Sequence, residues 1–261
     1  MYQGLTGRVA LVTGGSRGIG RASALALAAE AVRVCVVGRD TTRLAEVVDR
    51  AGGTAVAVAV EADLSTEDGC RRAYDACVES CGAPDILVNC AGSAGMGPVL
   101  DLRRSDIDDA LRLKLHGYLT MSQLVAPDMR RRGWGRIVNI SGGAGASPTS
   151  TNLPTSLANV AVHNLTRALS DELAPDGVLV NVVAPGLTLT DRATDLFRAE
   201  AEAAGRDVDS LIAEAGALVP AGRAARAEEI AAVVCFLSSD LCSYVHGSAV
   251  YMDGGARRAS P

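Results

Sequence analysis

No apolar stretch in the 261 residues reaches the roughly 18 that a membrane-spanning helix needs. The first residues, MYQGLTGRVALVTGG, interrupt their apolar positions with Gly and Arg and so lack the unbroken core of a signal peptide. A basic excess is missing as well: 25 Lys and Arg face 30 Asp and Glu, a net charge of −5, which argues against nucleic acid as a partner. There is no CxxC pair, no His stands close enough to the cysteines to suggest a zinc site, and the cysteine count of 7 is odd. Cys35, Cys70, Cys77, Cys81, Cys90, Cys235 and Cys242 sit mostly inside apolar runs and are expected to be buried free thiols in a reducing compartment. No linker and no internal repeat breaks the chain. One domain over residues 1–261 is expected, cytoplasmic, with no membrane, nucleic acid or metal among its partners.

What the chain does contain is ordinary globular composition, 48% hydrophobic and 21% charged, which excludes a disordered chain. Short β-branched runs at 8–13, 32–37, 55–60, 85–89, 136–141, 178–183 and 248–252 alternate with longer Ala-rich or amphipathic stretches. Several runs are apolar almost throughout, as parallel strands covered on both faces should be. The stretches at 18–30, 41–51, 66–81, 105–131, 155–174 and 227–237 read as helices. This alternation predicts right-handed βαβ units in an α/β Rossmann fold: a doubly wound, seven-stranded parallel sheet with helices on both faces. The run Arg130-Arg131-Arg132 before Gly133 reads as the solvated end of a helix, where positive charge suits the dipole. Residues 191–223 break the rhythm with an Ala/Glu-rich helical insertion. It follows the carboxyl end of a strand, where open α/β sheets bind ligands, and a mobile lid over a small-molecule substrate is expected.

Thr13-Gly14-Gly15-Ser16-Arg17-Gly18-Ile19-Gly20 follows the first strand and opens the first helix. Glycines here permit a tight turn, close approach of backbone to a pyrophosphate, and dense packing of helix on strand. The helix N-terminus then offers unpaired N–H groups to the anion.

The spacing TGxxxGxG resembles the short-chain dehydrogenase/reductase family, and the resemblance runs from Leu5 to Gly255. Ala62-Asp63-Leu64 resembles the family's adenine-contacting segment, and Asn89-Cys90-Ala91-Gly92 its NNAG motif. Residues 181–190, NVVAPGLTLT, are similar to the segment that contacts nicotinamide and phosphate, here Pro185, Gly186, Thr188 and Thr190; Asp253-Gly254-Gly255 matches the closing DGG. The nearest likeness is to the 3-oxoacyl-carrier-protein reductase branch. The second strand ends at Arg39, where an acid would bind the ribose 2′-hydroxyl of NAD and an Arg suits a 2′-phosphate. Arg39 with Arg17 resembles the basic pair of NADP-preferring members, so NADP is expected ahead of NAD, with Asp40 as the complication. The family resemblance also implies a homodimer or homotetramer through the two long helices.

The catalytic pattern fails. Family members carry Asn, Ser, Tyr and Lys; the Tyr protonates the substrate oxygen, and the Lys lowers its pKa and holds the nicotinamide ribose. Gapless alignment over residues 113–169 puts Lys114 at the Asn, Gly142 at the Ser, Thr155 at the Tyr and Asn159 at the Lys. Ser141 could replace the Ser only through a local bulge, since neighbouring strand residues point opposite ways. Ser156 is rotated around the helix from Thr155, and no Tyr lies between Tyr118 and Tyr244. An ammonium about 4 Å from a hydroxyl is worth about 4 kcal/mol at a dielectric near 20, enough to bring a phenol from about 10 to near neutrality. An aliphatic hydroxyl starts near water's value of about 15.7 and stays too weak an acid. Lys114 and Asn159 have, however, exchanged places. If both enter one pocket a positive charge is retained, and Lys114 supplies it or a proton directly. The bland reading is that Lys114 reaches solvent or Asp108. His163, two turns beyond Thr155, is expected to be a packed or interface residue.

Three functions remain open. The first is an atypical NADP(H)-dependent oxidoreductase acting on a carbonyl or alcohol of a small molecule. The second is a catalytically silent subunit paired with an active relative, and the third is dehydration or isomerisation in the same pocket.

Overall fold

The computed structural model describes residues 2–52, 57–92 and 95–258. The elements run β1 (Val9–Thr13), α1 (Gly18–Ala29), β2 (Arg33–Gly38), α2 (Thr41–Ala51), β3 (Ala57–Glu61), α3 (Glu67–Cys81), β4 (Ile86–Asn89), α4 (Arg104–Leu111), α5 (Gly117–Arg132) and β5 (Gly135–Ile140). They continue through α6 (Leu153–Leu173), β6 (Val178–Pro185), β7 (Thr188–Leu189), α7 (Asp191–Ala204), α8 (Val208–Ala217), β8 (Ala225–Arg226), α9 (Ala227–Ser238) and β9 (Ala249–Met252). The seven-stranded sheet has the order β3-β2-β1-β4-β5-β6-β9 and is parallel throughout. The doubly wound fold expected from the sequence is therefore present, with its order reversing between β1 and β4. Of the run 55–60 expected as a strand, residues 55 and 56 lie outside the described residues.

Alternation along the strands builds two cores. In β1, Ala10 and Val12 pack with α1, α2 and α9, while Val9 and Leu11 face α3 and α5 across the sheet. Burying one such Leu or Val fully is worth about 1.5–3 kcal/mol. Helix starts are set locally: Asp40 caps α2 by accepting from Arg43 N at 3.0 Å, and Thr66 caps α3 by accepting from Gly69 N at 3.0 Å. The cysteines are free thiols, with Cys90 half-buried and the others buried. No helix among the described residues is long and apolar enough to cross a membrane.

Three features differ from the sequence reading. The helix expected over 105–131 is interrupted by a π-helical turn, Arg112–His116, in which Gly117 N bonds Arg112 O. Gly117 presses against the loop after β3, and a Cβ there would meet Leu64 O at 2.6 Å, so the wider turn accommodates that approach. Next, the short parallel ladder Thr188↔Ala225, Leu189↔Arg226 joins the two ends of the helical insertion, of which the pattern gave no sign. Finally, the triple arginine is ion-paired as well as exposed. Arg130 Nε lies 2.6 Å from Asp176 Oδ2, and Arg132 Nε lies 3.3 Å from Asp85 Oδ1.

Asp85 also accepts from Val9 N at 3.0 Å and pairs with Arg8 at 3.6 Å. Asp85→Ala strands those donors at the amino edge of the sheet and is expected to destabilise by about 2–3 kcal/mol, measured by urea unfolding.

Candidate active site

The carboxyl ends of the strands open into a cavity of about 1090 Å³. The loop after β1 contributes Gly14, Ser16 and Arg17, the start of α1 contributes Gly18 and Ile19, and Arg39 follows β2. Asp63 and Leu64 follow β3, Ala91 and Gly92 follow β4, Pro185 ends β6, and Gly186, Thr188 and Thr190 come after it. Lys114, Ser141, Thr155 and Asn159 line the same space. Of the residues nominated from the sequence, Gly20 and Asn89 do not line it. Gly20 serves packing: a Cβ there would stand 2.2 Å from Gly14 O. Asn89 lies within the β4–β5 register, where its Nδ2 donates to Asn139 Oδ1 at 2.9 Å. Asn139 in turn donates to Thr166 Oγ1 at 2.9 Å, so this amide chain ties β4 and β5 to α6.

Lys114 and Asn159 meet in the cavity. Lys114, in the π-helical turn, donates from Nζ to Asn159 Oδ1 at 2.6 Å and to Ser141 O at 3.2 Å. Burial pulls the Lys114 ammonium down to about 8; Cys90 opposes this and the Arg192 charge adds to it. Asn159 is buried, and a Cβ at Gly142 would lie 2.9 Å from its Nδ2. The amide thus crowds the space beside Gly142.

The other hydroxyls are engaged. Thr155 Oγ1 donates to Gly95 O at 3.0 Å, and Ser156 Oγ to Leu153 O at 3.0 Å. The β5–β6 ladder pairs residue for residue from Gly135↔Val178 to Ile140↔Val183, without a bulge as far as Ile140. Ser141, just beyond the ladder, has its Oγ 2.8 Å from His163 Nε2 and 3.3 Å from Val183 O. Burial, then the charges of Lys114 and Arg257, hold the His163 imidazole below its ordinary value. His163 is half-buried, and its contact with a residue of the cavity wall was not foreseen. His246 links β6 to α6: its Nδ1 accepts from Val180 N at 3.1 Å, leaving Nε2–H for Ser170 O at 2.7 Å.

At the opposite end, Asp40 is occupied by the α2 cap and by Arg43, whose Nε stands 3.3 Å away. Asp63 accepts from Ser65 N and Oγ at 3.0 and 2.8 Å, which keeps its carboxyl below the usual range. Arg43 and Arg192 join Arg17 and Arg39 in lining the cavity, and sequence reasoning named neither. One available signal went unused. Of the 25 lysine and arginine side chains a single one is lysine, Lys114, and it stands in this cavity.

Residues 8–201 match the family described as short chain dehydrogenase. The chain belongs to that family. Among short-chain dehydrogenases it is 39% identical to the short-chain reductase protein NovJ of Streptomyces niveus, over 95% of this chain and 93% of the relative. It is 34% identical to the 3-oxoacyl-[acyl-carrier-protein] reductase FabG of Aquifex aeolicus, over 96% and 98%. Among solved structures, the short-chain dehydrogenase fold here resembles L-sorbose reductase from Gluconobacter frateurii, solved with NADPH and L-sorbose. The TM-score is 0.96 at 27% identity, with 100% of both chains covered.

Proposed function

We propose that this short-chain dehydrogenase is an NADP(H)-dependent oxidoreductase that interconverts a carbonyl and an alcohol on a small organic substrate. In this reading Lys114 holds the proton that a tyrosine holds elsewhere in the family. The observation that carries it is the 2.6 Å contact of Lys114 Nζ with Asn159 inside the cavity. The cavity suits a dinucleotide. Gly14 has φ +65°, and a Cβ there would meet Ala91 N at 2.8 Å, so the loop stays open to a diphosphate only as glycine. Arg17, Arg39 and Arg43 line the end where a 2′-phosphate would lie, and Asp40 there is already spoken for.

Bound in this cavity, the dinucleotide supplies or accepts hydride. The chain does the rest. Asn159 and Lys114 orient the nicotinamide ribose, and the Lys114 ammonium gives its proton to the substrate oxygen in reduction. A value of about 8 lies near working pH, so one amine serves as acid in one direction and base in the other.

The test is a fluorescence titration with NADPH and NADH, followed by a screen of ketoses and 3-oxoacyl thioesters. Tighter binding of NADPH is expected, and Arg39→Met should erase about tenfold of that preference. If neither nucleotide binds, the silent subunit is favoured instead.

A further inference from the structure

We propose that Ser141 and His163 form a nucleophile–base pair in the cavity wall, through which the protein transfers the acyl group of an activated ester (a thioester or an aryl ester) to Ser141 Oγ and on to water. This activity is separate from hydride transfer and needs no nucleotide. Its basis is the 2.8 Å contact between His163 Nε2 and the hydroxyl of Ser141, a residue that lines the cavity. A hydroxyl within hydrogen-bond reach of an imidazole is the arrangement by which a serine gives up its proton as it attacks.

The proton has a preferred direction. Ser141 Oγ also lies 3.3 Å from Val183 O, but that carbonyl already accepts from Ser141 N at 2.8 Å. The imidazole nitrogen is the nearer acceptor, so the hydroxyl is assigned to Nε2 and the ring hydrogen to Nδ1. The surroundings favour the neutral ring as well. Burial, then the charges of Lys114 and Arg257, keep His163 from holding a second proton at its ordinary value. Tyr251 of β9 steadies the imidazole, with centroids 5.9 Å apart and planes tilted by 54°, and Arg257 covers Tyr251 at 4.1 Å.

The wall also meets the charge that forms. Lys114 Nζ is 3.2 Å from the carbonyl oxygen of Ser141, which puts an ammonium beside the attacking residue. Gly142, Gly143 and Ala144 follow in the wall with no side chain larger than a methyl, which leaves room for the acyl group. As Ser141 Oγ bonds to the acyl carbon, its proton passes to His163 Nε2, and the carbonyl pair becomes an oxyanion near Lys114. Collapse of the oxyanion breaks the bond to sulfur or aryl oxygen, and the leaving group takes the proton from His163. A water then gives a proton to His163 and bonds to the acyl carbon; Ser141 Oγ leaves, recovers that proton, and the carboxylic acid is released. An aromatic ring orients an imidazole less firmly than a carboxylate does, so turnover is expected to be slow and the modified serine is the better readout.

An alkyl fluorophosphonate reports the pair directly, because Ser141 Oγ displaces fluoride and keeps the phosphonyl group. Added to the purified full chain without nucleotide, and followed by intact mass and peptide mapping, it is expected to attach once, at Ser141. His163→Gln should slow labelling by about 10²–10⁴-fold and Ser141→Ala should abolish it. Ser147→Ala changes another hydroxyl of the same cavity and should leave the rate as it is. The wild-type protein supplies a test that no folding defect can spoil. Its labelling rate should rise with pH through a midpoint below about 6.5, because attack needs the neutral imidazole. Label on another residue, or none on the wild type, overturns the pair. So does a folded His163→Gln that labels within about twofold of wild type. A wild-type rate that stays flat from about pH 5 to about pH 8 overturns it too, and decides the matter alone if His163→Gln does not fold.

Discussion

Lys114→Met is expected to lower kcat for carbonyl reduction by about 10²–10⁴-fold, the range for losing a positioned proton donor. Methionine keeps the length and apolar stem of the side chain but offers nothing to the substrate oxygen or to Asn159 Oδ1. The Kd for NADPH should rise only a few-fold, because the phosphates are held at the other end of the cavity. Lys114→Arg separates charge from acidity. It keeps a cation beside Asn159, but a guanidinium does not give up its proton in this range, so kcat should fall nearly as far as in the methionine variant. The pH profile has a definite sign. Reduction needs the protonated amine and should decline as pH rises through about 8, whereas oxidation needs the neutral amine and should climb through the same value. Substrate is not needed for a direct check. Reductive ¹³C-methylation labels only Lys114 and the chain's amino terminus, and NMR titration should place the Lys114 signal near 8. A midpoint near the ordinary lysine value of about 10.4 would sink the proton-donor role.

Gly20→Ala is expected to abolish nucleotide binding and to lower Tm by about 5–10 °C, read by fluorescence titration and calorimetry. The added carbon would stand 2.2 Å from Gly14 O and 2.7 Å from Gly14 C, which are backbone atoms with no rotamer through which to yield. Either α1 lifts from β1 or the Gly14 turn opens. The first loses packing between α1 and β1, at roughly 1–3 kcal/mol or more for overpacking, and each kcal/mol is worth about 2–4 °C in a chain of this size. The second displaces the N–H groups that would face the diphosphate. Undiminished NADPH affinity in this variant would mean that the loop is not the cradle.

The sheet was legible in the sequence because each strand is a short apolar run between turn residues, and the seven runs end within two residues of the observed strands where both are described. That Lys114 and Asn159 enter one pocket was legible because it needs only an element to carry each partner toward the carboxyl ends of the strands. The π-helical turn that aims Lys114 was not, since it follows from Gly117 pressing on Leu64 O, a contact 53 positions apart in sequence that no local period encodes. Ser141 and His163 are likewise brought together by α6 folding back over the end of β5. Asn89 was assigned to the cofactor because its motif ends at the cavity, but the side chain of a strand residue follows the pleat, and this one pairs across to Asn139. Arg192 lay inside a segment read only for its composition.

The two-residue ladder between β7 and β8 bears on how such a chain diversifies. Because Thr188–Leu189 and Ala225–Arg226 hold the two stems of the insertion side by side, the segment between them begins and ends at nearly the same point. Its length and content can change with little effect on the path of β6 or α9. The insertion is in that sense an exchangeable cassette, plugged into a socket that the sheet keeps constant. Transplanting the corresponding segment from a relative should alter which substrates are accepted while the rest of the molecule folds as before.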